Sequence, residues 1–89
     1  MGIETVLFKS EEKKSAKEIA AILRQIADKI DSGSMTLVQS GNKIVLDFPQ
    51  SMVIEMKVEE EQGRNLKKSF EIELEWFPND QEERGATIL

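Results

Sequence analysis

Residues 70–76 constrain the fold more than any other part of the chain, because apolar and acidic residues alternate in them without exception. The order is Phe70, Glu71, Ile72, Glu73, Leu74, Glu75, Trp76. Successive side chains of an extended strand point to opposite faces, so the alternation separates an apolar face from an acidic one. A helix would distribute both sets around its axis. The segment therefore predicts a strand of an antiparallel sheet with one face exposed to water.

A single helix is predicted over residues 16–31. Apolar side chains recur there at helical spacing, namely Ile19, Leu23, Ile26 and Ile30. Ser15 and Glu18 have the spacing of a capping box, which satisfies two backbone amides at the start of a helix. Gly33 stands where a left-handed residue ends a helix. The helix is predicted to pack on a sheet.

Two further strands are predicted around a tight turn, at residues 35–39 and 43–48. A two-residue loop at Gly41 and Asn42, of type II′, would pair Leu37 with Leu46. The residues that share a face in that arrangement are Met35, Leu37, Ile44, Leu46 and Phe48. Residues 4–9 are β-branched and aromatic, which predicts an additional first strand.

Residues 52–59 alternate in the same way as residues 70–76 and are predicted to pair with them. One register places Val58 opposite Phe70 and Lys57 opposite Glu71 on the wet face. The alternative is a register shifted by two residues, which would instead pair Glu59 with Lys67. We prefer the first register.

These elements predict an α+β fold in the order β-α-β-β-β-β, with an antiparallel sheet and a single helix packed on one face. At 89 residues the chain has room for one hydrophobic core. We expect one domain over residues 3–77, followed by a polar, mobile C-terminal tail at 78–89. Residues 86–89 are apolar, and they are either part of this tail or a segment that adds to a sheet edge.

The residue inventory argues against catalysis. The chain has no cysteine, histidine or tyrosine, so thiolate metal sites, the commonest general base and the phenol acid are absent. We expect no enzyme activity, no cofactor and no metal site. A net charge of −5 disfavours nucleic acid as a partner. No apolar run approaches the roughly 20 residues of a membrane-spanning helix, and no export signal is recognisable, so a cytoplasmic location without membrane contact is expected.

The candidate functional surface is the wet side of the predicted sheet, made of Glu55, Glu71, Glu73, Glu75 and Phe77, with Glu59 in the same row. Such a surface fits a basic partner. Charged outward residues also keep a small sheet soluble without any further role. Same-face glutamates lie about 7 Å apart along a strand, which is too wide to enclose one Mg²⁺ or Ca²⁺ ion.

Two aromatic residues end the last strand. Trp76 is assigned by parity to the core face, with ligand stacking as the alternative. Parity predicts that Phe77 points outward. One hypothesis is that it forms an apolar patch there with Val53, Val38 and Val45.

Three parts of the chain resemble the amphi-Trp domain family. They are the Val-Leu-Phe-Lys-Ser strand at 6–10, the helix end Leu-Arg-Gln-Ile-Ala-Asp-Lys-Ile-Asp-Ser-Gly at 23–33 and the closing Glu-Leu-Glu-Trp at 73–76. The resemblance covers about residues 4–76 and implies a small α+β fold. The family has no assigned activity, so it implies no catalytic residues.

The leading functional hypothesis is a small non-catalytic protein-interaction module, monomeric or homodimeric, that acts through the exposed acidic sheet face or an edge strand. One alternative is a small-ligand-binding domain or a lysine/carboxylate enzyme with a site between the helix and a sheet end, which requires a cavity near Trp76. Another is an acidic mimic of nucleic acid that binds a basic protein, with an affinity that falls steeply with salt.

Overall fold

The first regular element is a helix with well-formed ends. In the computed structural model, which describes residues 2–78, α1 spans Ala16–Ser32. The Ser15 hydroxyl accepts from the amide of Glu18 at 3.1 Å, and the Glu18 carboxylate accepts from the amide of Ser15 at 3.0 Å. Gly33, at φ 97°, ends the helix. The predicted helix, its capping box and its glycine stop are confirmed. This helix is not long and apolar enough to cross a membrane.

The strands β1 (Ser34–Gln39) and β2 (Asn42–Asp47) form an antiparallel hairpin that follows α1 directly. The half-buried side chains of this segment lie on one face, as predicted, and are Met35, Leu37, Ile44, Leu46 and Phe48. α1 packs on β1, and a cavity of about 180 Å³ remains between Ile22 and Ile26 of the helix and Leu37 of the strand. Alternation of polar and apolar residues therefore identified the covered face.

The turn of this hairpin differs from the prediction. Gln39 pairs with Asn42, and Leu37 pairs with Ile44 rather than with Leu46. The loop is Ser40 and Gly41, at φ 47° and 80°, and positive φ at both positions is typical of a type I′ turn. The predicted register was wrong by two residues, which leaves every side chain on its predicted face.

The predicted first strand is not formed. Between residues 2 and 15 no residue takes part in a strand ladder. Val6 and Leu7, which belong to the predicted strand, are 76% and 63% exposed. A side-chain contact is made instead, in which Asn42 Nδ2 donates to the carbonyl of Leu7 at 3.3 Å. Strand-forming composition permits an extended backbone, but a strand also needs an edge to pair with.

The strands β3 (Val53–Gln62) and β4 (Leu66–Glu75) form a second, longer antiparallel hairpin. Val58 pairs with Phe70 and Lys57 with Glu71, so the preferred register is confirmed over the alternative shifted by two residues. The single helix and the four antiparallel strands confirm the α+β class. The expectation of one continuous sheet is corrected, because the described strands form two separate two-stranded sheets.

The chain falls into two compact units, residues 1–48 and 49–89. The first contains α1, β1 and β2, and the second contains β3 and β4. No residue of the described part is buried. The apolar face of β3–β4, predicted to face a core, is exposed at Ile54, Met56, Val58, Phe70 and Ile72, because a two-stranded ribbon supplies no second layer within its own unit. The predicted tail, apart from Pro78, lies outside the described residues.

Candidate functional site

The β3–β4 register brings the predicted glutamates together on one side of the hairpin. Glu55 pairs directly with Glu73, and Glu71 pairs with Lys57. Glu75 ends β4 opposite Val53. We call Glu55, Glu71, Glu73 and Glu75 the acidic face. All four are exposed, so the predicted surface exists as an accessible patch of carboxylates.

Lys57 is a cation on this side of the hairpin that forms ion pairs with two glutamates. Its ammonium contacts the carboxylate of Glu59 at 2.8 Å and that of Glu71 at 3.4 Å. Hydrogen bonds to these two carboxylates raise the pKa of Lys57, and the bond from Lys57 lowers the pKa of Glu59. The pairs are exposed to solvent and contribute little to stability. These ion pairs direct the Lys57 ammonium to the carboxylates of Glu59 and Glu71.

The other three glutamates have carboxylates that converge. One oxygen each from Glu55, Glu73 and Glu75 lies within 4.8 Å of the others. We call these residues the carboxylate trio. These oxygens lie closer together than the spacing of about 7 Å between same-face residues along a strand, because long glutamate side chains lean together. No ion pair joins the trio to a lysine or arginine within residues 2–78.

Like charges in the trio change the proton affinity of one member. A hydrogen bond and charge repulsion from Glu75 raise the pKa of Glu73, and the charge of Lys57 opposes this only in part. A pair of carboxylates that shares a site binds a proton more readily than either would alone. A positive group brought to the trio would therefore meet a local excess of negative charge.

Phe77 and Trp76 lie beyond the last ladder pair, where β4 has ended. Phe77 is 78% exposed, as predicted for a residue on the outer side. Of the predicted apolar patch, Val53 and Phe77 line one cavity. Val38 and Val45 belong to β1 and β2, in the other unit.

A cavity lies next to Trp76, as the alternative hypothesis of small-ligand binding requires, and it plays no part in the leading hypothesis. It has a volume of about 540 Å³ and is lined by Pro49, Ser51, Met52, Val53, Glu75, Trp76 and Phe77. We call it the Trp76 cleft. Trp76 is half-buried and lines this cleft, whereas parity had placed it in a packed core. The signals in the sequence are Trp76 itself, for which ligand stacking is the alternative role, and the other proline and aromatic residues just outside the two strands.

Comparison with known proteins identifies the family of the chain. No curated protein and no solved structure matches it. The family model described as the Amphi-Trp domain matches residues 1–88, which is nearly the whole length and includes the three segments that carry the resemblance. The chain belongs to the Amphi-Trp domain family.

Proposed function

We propose that this protein is a non-catalytic interaction module whose acidic face binds a basic segment of a partner protein. The observation that carries the proposal is the carboxylate trio. Its three oxygens lie within 4.8 Å of one another, and no cation within residues 2–78 pairs with them. Lysine or arginine side chains of a partner would supply the missing positive charge.

Electrostatics favour this type of partner. A hydrogen bond with Glu75 and then repulsion from its charge raise the pKa of Glu73, and a bound cation would relieve that repulsion. Lys57 forms its ion pairs with Glu59 and Glu71 and with no member of the trio. Complementary charge mainly accelerates encounter and selects partners, and its effect weakens as salt screens the exposed groups. This chemistry is also that of an acidic mimic of nucleic acid, so the two hypotheses predict the same behaviour toward a basic protein.

The residue inventory supports a module without catalytic activity. Cysteine, histidine and tyrosine are absent from the sequence. Lys57, the lysine nearest the trio along β3, has two ion-pair contacts and a raised pKa, whereas a lysine that acts as a base or nucleophile needs a lowered one. We place the module in the cytoplasm, and the lack of cysteine gives no sign of a disulfide-stabilised secreted domain.

The test uses a fluorescently labelled hexa-arginine peptide and fluorescence anisotropy at low and moderate salt. The trio variant Glu55→Gln/Glu73→Gln/Glu75→Gln removes three charges from the acidic face. The matched control Glu4→Gln/Glu11→Gln/Asp28→Asn removes three charges from residues of the other unit that make none of the described ion pairs. Both variants have the same net charge, so a general charge effect cancels.

We expect the wild-type protein and the control to bind the peptide with affinities that fall as salt rises. The trio variant should bind about tenfold more weakly than the control, since it loses three exposed charge contacts. Equal affinities for the two variants would show that net charge alone attracts the peptide and would refute the proposal. Far-ultraviolet circular dichroism checks that both variants keep the wild-type fold.

A second candidate function, small-ligand binding, is favoured by the Trp76 cleft. Its volume of about 540 Å³ falls within the range of about 300–1,000 Å³ found for small-molecule sites. A titration with a neutral aromatic compound, benzyl alcohol, followed by Trp76 fluorescence, tests this candidate. A saturable spectral shift would support it, and a response that rises linearly without saturation would count against it.

A further inference from the structure

The Trp76 cleft lies at the open end of the β3–β4 hairpin, next to the last ladder pair, Val53 with Glu75. Most of its lining is apolar or aromatic, with Met52, Trp76 and Phe77 among the contributors. Among the described residues, the lining includes the carboxylate of Glu75 and no lysine or arginine. Within residues 2–78, the cleft therefore combines an apolar and aromatic lining with the negative charge of Glu75.

The charged side of the cleft continues into the acidic face. Glu75 belongs both to the lining of the cleft and to the carboxylate trio, where its oxygen lies within 4.8 Å of oxygens of Glu55 and Glu73. A hydrogen bond with Glu75, together with repulsion from its charge, raises the pKa of Glu73. A positive group at this edge of the cleft would thus interact with three carboxylates at once, and none of them has a cation partner within residues 2–78.

We propose that the Trp76 cleft binds the side chain of an arginine in the basic partner segment, with the guanidinium next to Glu75 and the aromatic residues. This proposal rests on the proposed function and names the anchor of that interaction. Arginine has an aliphatic stem that suits apolar surroundings and a planar cation that stacks on aromatic rings and pairs with carboxylates. Lysine carries a compact, strongly hydrated charge and lacks the planar group, so it should bind more weakly.

The chain contains its own reporter for the cleft. Trp76 is the one tryptophan and there is no tyrosine, so fluorescence excited at the red edge of the protein band comes from a residue that lines the cleft. The probes are N-acetyl-arginine amide, the neutral isostere N-acetyl-citrulline amide and N-acetyl-lysine amide, each titrated into the full chain.

We expect a saturable change in Trp76 emission with the arginine probe. The citrulline probe should bind about tenfold more weakly because it lacks the charge, and the lysine probe should fall between the two. Equal responses to the arginine and citrulline probes would overturn the proposal, as would the absence of any saturable change. A response to benzyl alcohol as strong as that to the arginine probe would assign the cleft to neutral ligands and would also overturn it.

A pair of variants separates the aromatic wall from the acidic face. Phe77→Ala removes a cleft residue that is 78% exposed, so it should not disturb the fold, and it should weaken the arginine probe about threefold. The control is Phe70→Ala, a second exposed phenylalanine, whose ladder pair with Val58 lies five pairs from the pair of Val53 with Glu75, about 17 Å away. The control should bind the probe as the wild type does. Equal weakening by both variants would contradict a specific role for the cleft.

The two proposals fail in different ways. If hexa-arginine binding depends on the carboxylate trio while Trp76 emission and the Phe77→Ala variant show no effect, the arginine anchor is wrong and the proposed function stands. If hexa-arginine binds equally to the trio variant and its matched control, the proposed function fails, and the partner assigned to the cleft fails with it.

Discussion

Substitution of Gly33 by alanine tests how α1 is joined to β1. Gly33 ends the helix at φ 97°, and its amide donates to the carbonyls of Lys29 at 3.0 Å and Ile30 at 3.1 Å. Its own carbonyl accepts from the amide of Phe48 at 2.8 Å. A Cβ at this position would meet no atom within 4 Å. The cost of Gly33→Ala therefore arises from backbone conformation rather than from a steric clash.

The magnitude follows from two opposing effects. A left-handed conformation costs a residue with a Cβ about 1–2 kcal/mol, and alanine recovers about 0.4–1 kcal/mol because it restricts the unfolded chain. The net loss is about 1 kcal/mol, which corresponds to a decrease of about 4–8 °C in Tm for a domain of this size. Thermal denaturation followed by circular dichroism at the helix band measures it.

The matched control is Gly63→Ala in the loop between β3 and β4. Gly63 is not among the glycines with positive φ, and an added Cβ would lie 3.9 Å from the carbonyl oxygen of Asn65, an ordinary contact. Its Tm should stay close to that of the wild type. If Gly33→Ala melts at the same temperature as Gly63→Ala, the left-handed helix end does not contribute as described, and the reasoning is refuted.

Three other substitutions test the local interactions. Ser15→Ala removes the capping box formed with Glu18 and should cost about 1 kcal/mol of unfolding free energy, measured by urea denaturation; an unchanged midpoint would contradict the role of the cap. Glu73→Gln should raise Tm at pH 7, because the pKa of Glu73 is raised by Glu75. Protonation of Glu73 stabilises the folded state below the ordinary carboxyl pKa of about 4.3. This stabilisation is lost as the pH rises through the raised pKa. The gain should shrink in scans at lower pH, and a gain that is constant with pH would contradict the coupling. Lys57→Gln should strengthen repulsion on the acidic face and change Tm only slightly, as expected for an exposed ion pair; a large loss of Tm would show that the pair has a structural role.

Sequence patterns predicted those parts of the fold that depend on short-range chemistry. The helix ends require a hydroxyl, a carboxylate and a left-handed residue at fixed spacing, and Ser15, Glu18 and Gly33 provide them. Two β3–β4 registers keep the alternating apolar residues on one face, and the one that places Lys57 opposite Glu71 is the one that forms. In both cases residue type at a fixed spacing favours one arrangement.

Other parts of the fold depend on alternatives that the alternation of apolar and polar residues does not distinguish. Turns at Ser40–Gly41 and at Gly41–Asn42 place the same side chains on the same face, so the pattern favours neither. The structure has Ser40 at φ 47° and uses the Asn42 side chain to contact Leu7. Residues 4–9 have the composition of a strand, but composition does not show whether a strand edge is available, and no ladder forms there.

The candidate site was predicted only in part. Alternation placed Glu55, Glu71, Glu73 and Glu75 on one face, and the register confirms it. The convergence of three carboxylates within 4.8 Å depends on side-chain conformation, which backbone spacing does not determine. The Trp76 cleft is lined mainly by residues outside the paired strands, where no periodic pattern exists from which it could be predicted.

The central claim is that the acidic face, rather than the net charge of the chain, binds basic partners. The most direct measurement is a titration of the isotope-labelled protein with hexa-arginine, followed by amide chemical shifts in two-dimensional NMR at moderate salt. We expect the largest shifts at Glu55, Glu73 and Glu75 and the neighbouring cleft residues Trp76 and Phe77, with little change at residues 4–31. Shifts spread evenly over all acidic residues, or largest at residues 4–31, would contradict the account.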